Sequence, residues 1–388
     1  MLAPQAVERA RVSGRPDAVP VKVLHAHSGN LFGGVETVLE TLAHDRDVCP
    51  SMVPVFATCF DGRLRTSLRT AGCEPYDLGA VRVSRPWQVL RARARLAALL
   101  ESTRCDVVLL HSMWALAVFG PVLRRRGIPF VVWVHDAVAG RGWIERLGAR
   151  TRPSLAICNS GFTADRVATA LPGVARRTVH PPLRLPPPAT PDARRRVRAA
   201  QGAPENATII VQVSRMERWK GHEVLVDALA TLADEATWVC WFVGGPQRGA
   251  EGAYFQALRD RVDARGLGGR VRFLGERADV PALLGAADVF VQANLDPEPF
   301  GLTYVEALAA GLPDLAAAAG GAREIVDERC GRLVPPGDAA ACARAVAGLL
   351  SDAGLRHRLG AAGVARAREL CDPAQQLPAL HAALREIA

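Results

Sequence analysis

His180-Pro-Pro-Leu-Arg-Leu-Pro-Pro-Pro188 divides this chain into two halves, because five of its nine residues are proline. Proline lacks an amide hydrogen and fixes its own backbone angle, so such a run fits neither a helix interior nor a central strand. We interpret it as a connection between domains. A chain of 388 residues, 49% of them hydrophobic, is long enough to form two buried cores.

On both sides of this connection, short apolar runs alternate with amphipathic segments, as strands and helices do in parallel α/β sheets. The predicted strands are Val21–His27, Met52–Cys59, Asp106–His111, Phe130–His135, Leu155–Asn159, Thr208–Val213, Trp238–Val243, Val271–Leu274 and Val289–Gln292. The predicted helices include Val35–Ala43, Trp87–Leu100, Ala115–Arg126, His222–Leu232, Tyr254–Arg265 and Leu302–Ala310. The pattern predicts an α/β fold of two Rossmann-like domains whose parallel sheets face each other across a cleft.

The pattern also predicts the domain limits. Residues 1–20 lack the apolar core of a signal peptide and are expected to form a loose leader. The first domain covers 21–182, the linker 183–204 and the second domain 205–370. Residues 371–388 are expected to form a C-terminal helix that can pack back on the first domain.

Composition disfavours several classes of protein. No run approaches the roughly 20 apolar residues that span a bilayer. Nine cysteines stand singly, without a C-x-x-C pair. We therefore expect free thiols, a reducing cytoplasmic compartment and no structural zinc.

The net charge of +9 is concentrated in the first half. Such a surface suits nucleic acid, anionic lipid or a phosphorylated ligand, and a simply solvated basic face is the alternative. Nucleic acid is disfavoured because a single aromatic residue, Trp87, stands among the clustered arginines, whereas nucleic-acid binding typically interleaves several. The clustered arginines are Arg82, Arg85, Arg91, Arg93 and Arg95, and a second group formed by Arg124, Arg125 and Arg126.

Lysine is rare in this chain: only Lys22 and Lys220 among 48 basic residues. A lysine can therefore mark a place that needs a compact ammonium. Ligands of open parallel sheets bind beyond the carboxyl ends of the strands. Ser214, Arg215 and Lys220 follow one strand and precede a helix, which favours a diphosphate site. Two surface cations beside a loop are the alternative.

Glu298-Pro-Phe300-Gly301-Leu302-Thr303-Tyr-Val-Glu306 follows another strand. Its proline and glycine break the chain before a helix, so the amides from Gly301 to Thr303 are free to meet an anion. Glu306 lies one turn inside the helix, where its carboxylate can accept two hydrogen bonds from a vicinal diol such as ribose. Glu298 lies in the loop, free to meet a sugar hydroxyl.

The first strand is followed by a third glycine motif, Gly29-Asn-Leu-Phe-Gly33-Gly34-Val-Glu36. It is not G-x-G-x-x-G, so a nicotinamide or flavin fingerprint is absent. Gly33 and Gly34 let the backbone approach a ligand, although a tight turn explains them equally well. Asp45-Arg-Asp47 is formally D-x-D, but it follows a helix, and we interpret it as a solvated helix end.

Three histidines end predicted strands. His135 is placed to face the cleft, and His27 and His111 are candidates for the acceptor side. A structural role is the alternative for each, because most isolated histidines are structural.

These motifs resemble family 4 of the retaining glycosyltransferases, which have the GT-B fold. The resemblance covers nearly the whole chain and is strongest from Ser214 to Asp338. The matching motifs are Gly33-Gly34-Val-Glu36, His135, Arg215, Lys220-Gly221, the E-x7-E motif from Glu298 to Glu306, Gly320-Gly-Ala-Arg-Glu-Ile-Val326 and Gly331-Arg-Leu-Val-Pro-Pro-Gly-Asp338. One departure is Asp314, where the family usually has an apolar strand, and it places that strand in doubt.

The resemblance implies a nucleoside-diphosphate sugar as donor, UDP or GDP, with no cofactor and no metal. Arg215 and Lys220 would neutralise the leaving diphosphate, and His135 would orient the sugar from the opposite domain. The implied donor-binding residues also include Gly33, Gly34, Ser214, Glu298, Phe300, Gly301, Leu302, Thr303 and Glu306.

We predict a hexosyltransferase that moves a sugar to an acceptor hydroxyl on a glycan, a lipid-linked molecule or a small metabolite. The first domain would bind the acceptor and the second the nucleotide sugar. A sugar-nucleotide epimerase, a phosphorylase and a non-catalytic sugar-binding protein are the alternatives. The basic first half suggests peripheral contact with an anionic membrane at its inner face, or recognition of a phosphorylated soluble acceptor.

Overall fold

Two parallel sheets organise the computed structural model, which describes residues 20–30, 33–233, 237–247 and 249–388. The predicted leader thus lies outside the described residues, except for Pro20. The strands of the first sheet are β1 Val21–His27, β2 Met52–Thr58, β3 Tyr76–Asp77, β4 Val107–Leu110, β5 Phe130–Val134, β6 Leu155–Cys158 and β7 Arg176–Thr178. Those of the second are β8 Thr208–Val213, β9 Trp238–Val243, β10 Val271–Gly275, β11 Val289–Gln292, β12 Asp314–Ala317 and β13 Gly331–Val334.

Helices connect these strands. In the first half they are α1 Gly34–His44, α2 Arg63–Thr70, α3 Pro86–Thr103, α4 Met113–Arg126, α5 Trp143–Ala149 and α6 Gly161–Ala170. In the second half they are α7 Pro191–Ala200, α8 His222–Ala230, α9 Gly249–Ala264, α10 Val280–Ala286, α11 Leu302–Ala309, α12 Ala322–Ile325, α13 Ala339–Ser351, α14 Ala353–Cys371 and α15 Pro373–Arg385.

The strand order places a ligand crevice in each domain. The first sheet runs β3-β2-β1-β4-β5-β6-β7 and the second β10-β9-β8-β11-β12-β13, with parallel neighbours throughout. In both sheets the order reverses at the first strand of the domain, so a crevice opens beyond the carboxyl ends there. The prediction of two Rossmann-like α/β domains is confirmed.

Each sheet is covered on both faces. Along β1, Leu24 and Ala26 join one apolar cluster, whereas Val21 and Val23 join the cluster on the opposite face. This alternation follows the two-residue period of a strand. Burial on both faces explains why the strands read as short apolar runs.

The segments at the domain limits are ordered. Helix α7 lies inside the region predicted as linker. Thr190 caps it and Pro191 opens it, and Arg194 and Arg198 form ion pairs with Asp288 of the second domain. Helix α15 packs on the first domain, because its apolar residues Leu377, Leu380, Ala383 and Leu384 lie in the same cluster as β1.

The doubt about the strand at Asp314 was misplaced. β12 forms because it pairs with β11 on one side and β13 on the other. Asp314 is fully buried, and neither carboxyl oxygen has a hydrogen-bond partner among the described residues. Burial raises the pKa of this carboxyl well above its usual range, so Asp314 is protonated.

Candidate active site

A cleft of about 990 Å³ lies between the carboxyl ends of the two sheets. Residues of both domains line it. Those predicted from the sequence are His27, Gly33, Gly34, His111 and His135 from the first domain, and Ser214, Arg215, Lys220, Glu298, Phe300, Gly301, Leu302 and Thr303 from the second. The structure therefore brings most of the predicted site residues to one place.

The two cations after β8 have carboxylate partners. The Lys220 Nζ atom lies 2.6 Å from the Glu298 Oε2 atom and 3.9 Å from the centre of the Trp219 ring. The Arg215 guanidinium lies 2.8 Å from Glu217 and 3.6 Å from Glu251. Both cations line the cleft, so an entering anion has two positive groups to meet and three internal carboxylates to compete with.

Gly221 is required for the position of Lys220. Its φ angle is +70°, and a Cβ atom there would lie 1.7 Å from the carbonyl oxygen of Ala293. The loop after β8 therefore packs directly against the backbone that follows β11. The amide of Leu295 also donates to the carbonyl of Trp219 at 2.7 Å. This contact brings the lysine beside the E-x7-E loop.

Gly301 immediately precedes α11, at its N-cap, with a φ angle of +105°, in the region that favours glycine. A Cβ atom there would lie 2.3 Å from the Tyr304 ring. The first amides of a helix have no intrahelical acceptor. Because Gly301, Leu302 and Thr303 all line the cleft, their amides can serve an anion beside Lys220.

Glu298 is fixed by several donors. Its Oε2 atom accepts hydrogen bonds from Lys220 at 2.6 Å and from Asn294 at 2.9 Å. Its backbone carbonyl accepts from the amide of Gly321 at 2.8 Å. A Cβ atom on Gly320 would lie 2.2 Å from that carbonyl, which explains the double glycine of the motif at 320–326.

Glu306 lies apart from the other predicted residues. It is half-buried on α11, and it is not among the described residues that line the cleft. Burial raises the pKa of its carboxyl to about 7. At neutral pH this group is therefore divided between the protonated and ionised forms.

A row of histidines lines the first-domain wall. The His25 Nδ1 atom lies 3.0 Å from His111 Nε2, and His111 Nδ1 lies 3.3 Å from His135 Nε2. Burial lowers the pKa of His25 and of His135 to about 3 and that of His111 well below 6.5. These three imidazoles are therefore neutral at physiological pH.

His27 is held differently. Its Nε2 atom lies 2.7 Å from Glu36, whose other carboxylate oxygen accepts the amide of Gly33 at 2.9 Å. Glu36 thus ties the glycine loop to the histidine row. Sequence analysis missed His25, although it stands two residues before His27 and so on the same face of β1.

Ser214 ends a hydrogen-bonded chain of side chains. Its Oγ atom lies 3.0 Å from His222 Nε2, and His222 Nδ1 lies 3.4 Å from the Tyr254 hydroxyl. Burial lowers the pKa of His222 to about 3, so it carries one proton. If Tyr254 donates to Nδ1, then Nε2–H donates to Ser214, and the serine hydroxyl is free to donate into the cleft. The motif search identified Ser214 but neither of its partners.

The domains also contact each other beside the cleft. The Glu324 carboxylate accepts the amides of Gly161 and Phe162 at the start of α6, each at 2.8 Å. The Ser160 hydroxyl donates to the carbonyl of Pro299 at 2.6 Å. A carboxylate at a helix N-terminus is favourable, so this contact stabilises the facing arrangement of the domains. Glu324 lay within a motif matched on sequence, but nothing in the sequence indicated its partner.

Other predicted features lie elsewhere. Asp45 of the D-x-D sequence is 3.4 Å from Arg184, near the domain connection. The nine cysteines are free thiols. No group of three or more potential metal ligands occurs within the described ranges. Among helices in the described part of the chain, none has the length and apolar character to cross a bilayer.

Two family models match the chain. The model described as glycosyl transferases group 1 matches residues 193–366, and that described as glycosyltransferase family 4 matches 32–183. The solved structures that the fold resembles include Anabaena HepE in complex with UDP-glucose, at a TM-score of 0.82 and 24% identity over 94% of this chain and 99% of that one. Sucrose-phosphate synthase from Thermosynechococcus elongatus gives 0.78 and 21%, over 95% and 100%. At these identities the likeness shows the fold.

Curated relatives show the family. The chain is 34% identical to a D-inositol 3-phosphate glycosyltransferase of Xylanimonas cellulosilytica, over 70% of this chain and 65% of that protein. It is 30% identical to a GDP-mannose-dependent alpha-(1-6)-phosphatidylinositol monomannoside mannosyltransferase of Mycolicibacterium smegmatis, over 75% of this chain and 82% of that protein. The chain thus belongs to glycosyltransferase family 4, of the GT-B fold.

Proposed function

We propose that this chain transfers a sugar from a nucleoside-diphosphate sugar to an acceptor hydroxyl. The observation that carries the proposal is that Lys220, Arg215 and the residues Gly301 to Thr303, with the first amides of α11, all line one cleft. A diphosphate carries its charge on closely spaced oxygens, and it suits this set of donors. Charge-assisted donors there would stabilise the departing diphosphate, as preorganised donors do in other active sites.

The remaining donor contacts follow from this placement. Ser214 and the amides beside Phe300 would hold the phosphates, and Glu298 would accept hydrogen bonds from the transferred sugar. His135, neutral and facing the cleft from the first domain, would orient that sugar. Gly33 and Gly34 would let the first-domain backbone approach the donor, since a Cβ atom on Gly34 would lie 3.1 Å from Leu302 of the second domain.

Glu306 would bind the ribose. It lies one turn inside α11, after the amides that would meet the phosphates. A diol that donates two hydrogen bonds favours the ionised carboxylate. Nucleotide binding would therefore lower the pKa of Glu306 from about 7.

The proposed stereochemical course is retention. The acceptor hydroxyl would attack from the face that the diphosphate leaves, and the departing phosphate would take its proton. Lys220, Arg215 and the helix amides would supply the positive potential that the leaving group needs, and the proposed reaction uses no metal or cofactor.

UDP and GDP are the proposed nucleotides. One relative is named as GDP-mannose-dependent, and Anabaena HepE was crystallised with UDP-glucose. Relatives named for inositol 3-phosphate and phosphatidylinositol monomannoside support an acceptor hydroxyl on a cyclitol or sugar. His27 and His111 line the first-domain side, where that acceptor would lie.

The experiment is a thermal-stability screen of the purified chain with UDP, GDP and ADP sugars. One nucleotide should raise Tm in proportion to the logarithm of its concentration. Lys220→Ala should lose that rise. Arg218→Ala is the matched control, because Arg218 lies in the same loop but its side chain is 71% exposed and pairs with Glu223. No stabilisation by any of the sugars would contradict the proposal.

A further inference from the structure

Three tryptophans lie at the start of three neighbouring helices. Trp87 and Trp114 are the second residues of α3 and α4, and Trp143 is the first residue of α5. Helix α4 packs against both α3 and α5. Helices between parallel strands start at the carboxyl edge of the sheet. The three indoles therefore share the cleft-side edge of the first domain, with about 10 Å between neighbouring helices.

Two of these indoles are largely exposed to solvent. Trp87 is 61% exposed and Trp143 61%, and Leu90, one turn after Trp87, is 62% exposed. Large apolar side chains grouped at one edge typically indicate an interaction surface. We call this surface the tryptophan rim, and its residues are Arg82, Arg85, Trp87, Leu90, Arg91, Trp114 and Trp143.

The rim is basic. The sequence has no acidic residue from Leu78 to Leu100 or from Val107 to His135. Arg82, Arg85 and Arg91 are exposed, and none has a carboxylate partner among the described residues.

The other clustered arginines do not belong to this surface. Arg93 turns inward and donates to the carbonyl of Val118 at 2.6 Å, and Arg95 pairs with Asp77 at 3.2 Å. Arg124 to Arg126 end α4, and that end lies about 18 Å from Trp114 at 1.5 Å per residue. The clusters seen in the sequence therefore do not form one continuous basic face.

We propose that the tryptophan rim docks on an anionic lipid surface and that the acceptor is taken from that surface. Indole and leucine side chains set among arginines match the boundary between lipid headgroups and acyl chains. A soluble phosphorylated acceptor would need the arginines but would leave the two indoles and Leu90 in water.

The rim is continuous with the cleft. Arg82 and Trp114 line both, and the buried side chain of Val81 also lines the cleft. An acceptor hydroxyl held in a membrane could therefore reach the first-domain wall without leaving the lipid surface. The proposal that the acceptor comes from the lipid surface rests on the proposed transferase function. The proposal that the rim docks on lipid does not depend on that function.

Flotation of the full chain with phosphatidylglycerol vesicles and with phosphatidylcholine vesicles tests the docking. We expect binding to the anionic vesicles only, weakened by salt. The double variant Trp87→Ser/Leu90→Ser should lower the partition coefficient at least tenfold. Arg85→Ser should lower it about fivefold, the effect of one arginine near an anionic surface.

Two control variants distinguish docking by the rim from a general effect of positive charge and from binding at the donor site. Arg125→Ser removes an exposed arginine at the far end of α4 and should leave vesicle binding unchanged. Lys220→Ala should bind vesicles like the unsubstituted chain, although it loses stabilisation by nucleotide sugar. Nucleotide-sugar stabilisation of the rim variants, measured without vesicles, shows that they are folded and that the donor site is intact.

Failure to bind phosphatidylglycerol vesicles at low salt would overturn the proposal. So would equal binding by Trp87→Ser/Leu90→Ser. If that double variant instead converts a dimer to a monomer on a sizing column and vesicle binding does not change, the rim is an interface between two copies. If vesicles bind but no nucleotide sugar stabilises the chain, docking stands and the proposed transferase function fails.

Discussion

The cleft has one wall from each domain, and the two walls differ in how their ionisable side chains are held. On the first, His25, His111 and His135 are held neutral by burial and contact one another. On the second, Lys220 and Arg215 form ion pairs with carboxylates of their own domain. Among the described residues that line the cleft, the second wall supplies two cations, Lys220 and Arg215, and the first wall supplies one, Arg82. The comparison supports the proposal that the diphosphate binds to the second wall and the acceptor to the first.

The pairing on the second wall also bears on the free energy of donor binding. A cation that is already paired with a carboxylate is held in position, so an entering diphosphate exchanges one partner for another without having to order a free side chain. On the first wall, burial keeps the His135 imidazole neutral. It can contact sugar hydroxyls through ring nitrogens whose charge does not change near neutral pH.

Replacing Lys220 should have the largest effect. Lys220→Ala removes the ammonium beside the helix amides, and we expect turnover to fall about a hundredfold, as with the loss of one charge-stabilising donor. Steady-state kinetics with the donor identified by the stability screen measure it. Arg218→Ala should keep nearly full turnover. Near-normal turnover of Lys220→Ala would break the assignment of the diphosphate to the second wall.

Asp314 tests whether burial keeps an acidic group of the second domain neutral, as it keeps the histidines of the first domain neutral. The raised pKa means that Asp314 stays protonated in the fold but ionises on unfolding, so stability is lost as pH rises above about 4, its usual value. Asp314→Ala should raise the free energy of unfolding at pH 7 by about 2 kcal/mol. Urea unfolding should show a smaller gain at pH 4 than at pH 7.

Asp288 is the matched control for that variant. It lies just before β11 in the same sheet, but Arg194 and Arg198 pair with it. Asp288→Ala should therefore destabilise the protein. Destabilisation by Asp314→Ala would show that the buried carboxyl has a partner that stabilises it.

Titration of Glu306 should make the affinity for the donor depend on pH. Because ribose binding favours the ionised carboxylate, donor affinity should rise with pH up to the pKa of about 7. Below that pKa, affinity should fall roughly tenfold per pH unit, until the lowered pKa of the bound state is reached. Calorimetry with the intact nucleotide sugar avoids titration of a terminal phosphate. Glu306→Gln should bind with no such slope, and a retained slope would assign the titration to another group.

Sequence predicted the parts of this arrangement that are local. Strands buried on both faces read as apolar runs, and the loops that follow them carry Lys220, Gly301 and His135. Such residues depend only on neighbours along the chain. The predicted fold and most of the predicted cleft residues therefore agree with the structure.

The parts that depend on contacts distant in sequence could not be predicted. Glu324 meets the start of α6 more than 160 residues away, and Tyr254 reaches His222 across 32 residues. Asp314 was expected to weaken its strand, but pairing on both sides keeps it. Likewise, the arginines clustered in sequence separate in space, because a helix carries its ends to opposite edges of the domain.

Tyr254 supplies the smallest expected effect. Its hydroxyl lies 3.4 Å from His222 Nδ1, and as a donor to that nitrogen it would leave the imidazole proton on Nε2, directed at Ser214. Tyr254→Phe lets His222 carry its proton on either nitrogen, so the Ser214 hydroxyl can donate to His222 instead of to the diphosphate. We expect KM for the donor to rise roughly threefold with kcat little changed, the loss of one modest hydrogen bond.

A double-mutant cycle decides whether that effect passes through Ser214. In a chain of hydrogen bonds, Ser214→Ala already removes what Tyr254 controls, so adding Tyr254→Phe should raise KM no further. Tyr76→Phe, on the exposed edge strand β3, is the control and should change nothing. Additive effects of the two substitutions would mean that Tyr254 acts by packing against α8. The second wall would then hold its anion with cations and amides alone.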